Sequence, residues 1–195
     1  MATNDAAAPG ARFDAFLSRA WADHADHPEA VAERLRTDTP EPLAPAQVAA
    51  LARLVVHLLG EHLGRFDDAH WRLSALAGHR LAHDPVAASE LRVSHAALWL
   101  AGRRPDADAA LSPAERVRAL GSAAALCLGR GELERSLGLI ASARAELGRM
   151  PHASAVEHRP LAVACNNMAW GLHERGDARG PDETAAMLEI AAASR

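Results

Sequence analysis

Tyrosine is absent from this 195-residue chain, and only three phenylalanines and four tryptophans stand among 49% apolar residues. The apolar content is carried by Ala and Leu, interspersed with Arg and Glu. That mixture favours helices over the β-branched and aromatic residues that fill strands. Cysteine is scarce too. Cys127 and Cys165 form no CxxC and no disulfide framework, and each lies in an apolar helical stretch where a free thiol behaves as a small buried hydrophobe.

Other absences narrow the function. No segment reaches the roughly 18 uncharged apolar residues of a membrane span. Residues Met1 to Arg12 lack the basic start and apolar run of a secretory leader. A cytoplasmic, soluble protein with no membrane partner is expected. The net charge of −4 comes from intermixed acids and bases with no long basic face, which argues against nucleic acid as a partner. Gly-x-Ser-x-Gly, P-loop and dinucleotide fingerprints are missing, and neither cysteine has the charged surroundings that activate a thiol. Neither an enzyme nor a cofactor is expected.

What is present is helical periodicity. A mobile tail is expected over 1–10 and a helical hairpin over 11–36. Pro40, Pro42 and Pro45 make 37–45 a linker, because each proline removes a donor and restricts its predecessor. From Ala46 onward, Val48, Leu51, Leu54, Val55, Leu58 and Leu59 share one wide face. The next helix is expected to end near His83, and another opens at Pro85. A polar loop follows over Gly102 to Asp108. Ser112-Pro113-Ala114-Glu115 is a capping box with proline at the first helical position. Further helices are expected over 113–128, 132–147, 160–174 and 181–194. About nine helices and no strand make an all-α chain, read as a single domain with its helical region over 46–195.

Three places share one design: an apolar helix runs into a glycine, and a second helix begins within a few residues. They centre on Gly64, Gly131 and Gly176. Glycine there permits the left-handed conformation that reverses the chain, and the small residues Ala69 and Ser136, five positions later, permit close helix approach. This resembles the tetratricopeptide repeat (TPR), a helix-turn-helix unit of about 34 residues. The glycine intervals of 67 and 45 suggest a degenerate unit between the first two, turning at Gly102. Seven residues before each glycine, where the family holds a small residue, stand His57, Ala124 and Ala169; nine after, at its large packed position, stand Leu73 and Ile140. Arg53, Leu120 and Cys165 replace the early tryptophan. Through Asn166-Asn167-Met168-Ala169-Trp170 the chain is most similar to uncharacterised bacterial TPR proteins.

The resemblance implies antiparallel hairpins stacked as a right-handed α-α superhelix. It also implies a non-enzymatic scaffold that holds a peptide segment or helix of a protein partner in a concave groove. Carried over position by position, the partner-binding residues are Leu54, Leu58, Glu61, His62, Arg118, Asn166, Asn167, Trp170 and His173, with Gly121 also on the groove. Val55 and Ser122 occupy the other positions of the carboxylate clamp of one TPR subclass and no lysine stands near, so that clamp is not expected. Trp71 and Trp99 are expected in packing, and Trp170 against a partner. The Ala-rich last helix, with Met187, Leu188 and Ile190, suggests a homodimer through that helix or a chain that continues.

The histidines offer an alternative, a metal- or small-ligand-binding helical protein. His79 and His83, four apart, would share a helix face, but a third ligand must converge from elsewhere, His70 or His95 if the fold brings one close, and no metal site is assigned. Asp23-His24-Ala25-Asp26-His27 packs four ligand-type side chains into five residues, and reads as capping and solubility residues. Glu61-His62 resembles an acid-base pair, yet no nucleophile or oxyanion donor accompanies it.

Overall fold

A computed structural model describes residues 9–102 and 110–193. The described residues form nine α-helices and no strand. The expected tail thus falls mainly outside them, as does most of the loop after Gly102. Two compact units divide the chain at 91/92, within one helix.

In the first unit, α1 (Pro9–Asp23) and α2 (Pro28–Thr37) pair, and α3 (Pro45–Val55) runs directly into a π-helical segment, Val56–His62. Gly64, at φ 63°, reverses the chain into α4 (Phe66–Ala77). Helix α1 packs on α3, and α2 packs on the π segment. The proline-rich stretch 37–45 therefore does not separate the N-terminal hairpin from the helices C-terminal to it. Phe13, Leu35, Leu51, Leu54, Leu58 and Leu73 are all fully buried, and each such side chain contributes roughly 1.5–3 kcal/mol of transfer free energy. Helix α4 stops at Ala77, short of the expected His83, because the His79 side chain accepts from Leu81 N and caps a separate 3-10 turn, Arg80–His83. His79 and His83 therefore share no α-helical face. Helix α5 (Pro85–Ala101) is tied to α3 by Arg53, which donates to Glu90 at 3.0 Å.

The second unit contains α6 (Pro113–Gly129), α7 (Leu133–Arg149), α8 (Ala155–Glu174) and α9 (Pro181–Ala193). Helix α6 pairs with α7 and α8 with α9, while α6 also lies against α8. Ser112 and Glu115 form the expected capping box. Ser136, fully buried, donates to the Ala124 carbonyl at 2.8 Å across the α6–α7 crossing. Gly121 lies buried where α6 meets α8, and a Cβ there would stand 3.4 Å from Ala164 Cβ. It serves helix approach and is not a groove residue.

Helix α8 begins at Ala155, earlier than the expected Pro160. Ser154 and Glu157 build a second capping box, and the Ser154 hydroxyl bonded to Glu157 holds that carboxylate below its ordinary range. Pro160 is accommodated inside the helix. Gly102 does not adopt the left-handed conformation proposed for a turn there; Gly64, Gly131 and Gly176 do.

Two measurements check this packing. Gly131→Ala forces a Cβ into φ 76° and is expected to cost about 1 kcal/mol. Gly138→Ala, inside α7 with open space around it, is expected to add about 0.5–1 kcal/mol. Urea unfolding of both variants should therefore give shifts of opposite sign. Cys127 and Cys165 are both fully buried, and burial pushes the Cys165 thiol above its ordinary range. A thiol reagent should label neither in the native protein and both in denaturant; fast native labelling would contradict this core.

Candidate functional site

Two groups of polar and aromatic side chains stand out, one in each unit. The first is built on the π-helical segment. In an α-helix, residues five apart point about 140° away from each other. The π-helix widens the turn to i→i+5 bonding, seen where Leu63 N donates to the Leu58 carbonyl at 3.1 Å. His57 and His62 consequently share a face: their Nε2 atoms lie 3.1 Å apart and their ring centroids 4.6 Å apart.

His24, just beyond the end of α1, completes the group. Its ring centroid is 4.8 Å from His57 and 5.0 Å from His62. One ligand-type nitrogen from each of the three rings lies within 4.8 Å of the others, the only such group of three or more among the described residues. Trp21 walls the cluster, 5.1 Å from the His57 ring and 5.2 Å from that of His24.

Hydrogen bonding fixes the chemistry of two rings. His24 Nδ1 lies 2.6 Å from the Trp21 carbonyl, an acceptor only, so Nδ1 carries the proton. His57 Nδ1 lies 2.7 Å from Glu61 Oε2 and likewise donates to the carboxylate. In their neutral forms both rings are left with a lone pair on Nε2. Burial holds the His62 pKa below the ordinary histidine value. His57 adds to that lowering, and Glu61 opposes it.

The second group lies along α8. Asn166, Asn167, Trp170 and His173 are all exposed, at the i, i+4 and i+7 spacings of one helical stripe that Val163 extends. Trp170 is 57% exposed and meets His173 edge to face at 5.4 Å. Asn166, Ala169, Trp170 and His173 line a shallow depression between α8 and α9, closed by Met187 and Ala191.

The structure thus redistributes the expected site residues. Leu54 and Leu58 are fully buried, which corrects their placement on a groove: they are core. Arg118 is half-buried on α6. Trp71 and Trp99, expected in packing, are 65% and 37% exposed. Of the Asp23–His27 run, Asp23 pairs with Arg34 at 2.7 Å, while His24 turns toward the histidine cluster. Glu61 and His62 do come together, with His57 and His24 as unexpected company. His79 has the Glu41 carboxylate 3.7 Å from its Nε2, but among the described residues His79 and His83 belong to no group of three ligand-type side chains.

A signal for the missed residue was present. His57 stands where the TPR spacing asks for a small residue. The π segment holds one extra residue before Gly64, which moves the packed position back to Val56, only 8% exposed, and frees His57 to face the cluster. Comparison with protein-family models, with curated proteins and with solved structures finds no match.

Proposed function

We propose that the chain is a non-enzymatic, TPR-like scaffold that holds a segment of a protein partner against α8. The observation that carries this reading is the α8 stripe. A tryptophan, a valine and two asparagines stand exposed along one helix, beside a depression that the α9 side chains Met187 and Ala191 close. Exposed tryptophan is costly to solvate and is enriched among the residues that dominate interface energetics. An asparagine amide donates and accepts at once, which suits it to a peptide backbone. The hairpin pairing of α6 with α7 and α8 with α9, with first helix against first helix, supports a repeat arrangement of the TPR kind. The occupant that fits is an extended or helical segment with one apolar side chain for Trp170 and a backbone amide for Asn167.

The test is capture from lysate of the source cells by the wild-type chain and by an Asn167→Ala, Trp170→Ala variant of unchanged helicity. A captured protein is then purified and its affinity measured. Loss of a central tryptophan typically costs 2 kcal/mol or more, so the variant is expected to bind about 30-fold or more weakly. Equal binding by both chains would remove α8 as the docking face.

A further inference from the structure

We propose that His24, His57 and His62 form a binding site for a divalent transition-metal ion, Zn²⁺ by preference, with Glu61 as the positioning residue and a fourth coordination place open to solvent. Three observations carry this independently of the scaffold reading.

The first is distance. Zn–N bonds of roughly 2.0–2.1 Å at tetrahedral angles hold two ligand nitrogens about 3.3 Å apart. His57 Nε2 and His62 Nε2 are 3.1 Å apart before any ion is considered, and the third ring lies close enough to follow by a small torsional adjustment.

The second is the arrangement around the ligands. Metal-bound imidazole almost always donates its other N–H to a carboxylate or a backbone carbonyl, which fixes the tautomer and raises the basicity of the ligating nitrogen. His57 has Glu61 in that role at 2.7 Å, and His24 has the Trp21 carbonyl at 2.6 Å. The His24 contact also caps a carbonyl in the last turn of α1, whereas the His57–Glu61 contact lies inside a continuous helix and caps nothing.

The third is the backbone. The π-helix brings the two histidines of one helix onto one face, and π segments are uncommon and concentrated at functional sites.

Three imidazole nitrogens suit Zn²⁺, Cu²⁺ or Ni²⁺ over the hard cations Mg²⁺ and Ca²⁺, which seek oxygen ligands. Three protein ligands with His62 exposed leave room for water or an exchangeable group, as in sites whose ion is reached by a further ligand. A bound ion joins the end of α1 to the π segment, and so links the N-terminal hairpin to the next hairpin of the same unit.

The experiment uses the full chain, purified without a histidine tag and stripped with a chelator, then titrated with Zn²⁺ by calorimetry and with Co²⁺ by visible absorption. The expected result is one Zn²⁺ per chain at micromolar affinity or better, with the ligand-field spectrum of four-coordinate Co²⁺. His62→Gln and His24→Gln should each abolish that spectrum and weaken Zn²⁺ at least 10-fold, and Glu61→Gln should weaken it roughly 10–100-fold with the spectrum kept. His83→Gln should change nothing. Long-range ¹⁵N correlations of the imidazoles provide a readout that needs no variant, since Zn²⁺ should shift three histidines together. No binding at 1:1 stoichiometry, binding by His24→Gln and His62→Gln as tight as by the unsubstituted chain, or imidazole shifts confined to other histidines would each overturn the site.

Discussion

Three of the chain's helix reversals turn on left-handed backbone. Gly64, Gly131 and Gly176 supply it at φ 63°, 76° and 53°. Reversal alone would leave two helices splayed, and the turns at Gly64 and Gly131 are each followed, five positions on, by a residue small enough to let the second helix lie down on the first. In the α6–α7 pair that residue is Ser136, and its hydroxyl satisfies itself on the Ala124 carbonyl of the partner helix. A larger side chain would separate the helices, and an unpaired hydroxyl there would be a buried polar group without a partner. The packing of Ile140, Leu147, Leu161 and Leu172 into one cluster follows from that close approach.

The two first-helices obey this rule in different ways. Helix α6 reaches its glycine as a regular α-helix, whereas α3 reaches Gly64 only through seven residues of π-helix. Leu73 and Ile140 are both buried nine residues past their glycines, so the second helices keep a common register. The difference is confined to the stretch that carries His57, Glu61 and His62. It rotates those three residues together while Leu54, Leu58 and Leu59 remain in the core.

Much of the architecture was legible because its determinants are local. The glycine reversals, the Ser112 capping box and the buried Ala69 and Ser136 depend on residues a few positions apart, and local stereochemistry decides them. The start of α8 was equally local, since Ser154 and Glu157 form a capping box as plain as the first, but Pro160 is the stronger breaker on paper. Pro160 instead lies in the second turn of α8, where it removes the backbone donor that would bond the Val156 carbonyl without ending the helix. The π segment was not legible in periodicity. Val55, Val56, Leu58 and Leu59 are apolar in immediate succession, and such a run fits several rotational settings equally well. The TPR resemblance, carried over position by position, sent Leu54 and Leu58 to a groove and left His57 as a misfit where a small residue is expected. The convergence of His24 was beyond any local rule, because it depends on α1 packing against α3.

The α6–α7 pair also bears on what maintains the π segment. That hairpin turns at a left-handed glycine without one, so chain reversal does not require the extra residue. Nor does the core, since Val56 fills the packed position and His57 contributes a half-buried ring instead of an apolar contact. What the extra residue does accomplish is the pairing of His57 with His62 and of His57 with Glu61. The two imidazoles held at 3.1 Å share a single proton between their facing nitrogens, His57 Nδ1 being committed to Glu61. They are a good solution to holding a cation, which would replace that single proton with bonds to both rings. The local departure from α-helix therefore has its physical explanation in the side chains it aligns.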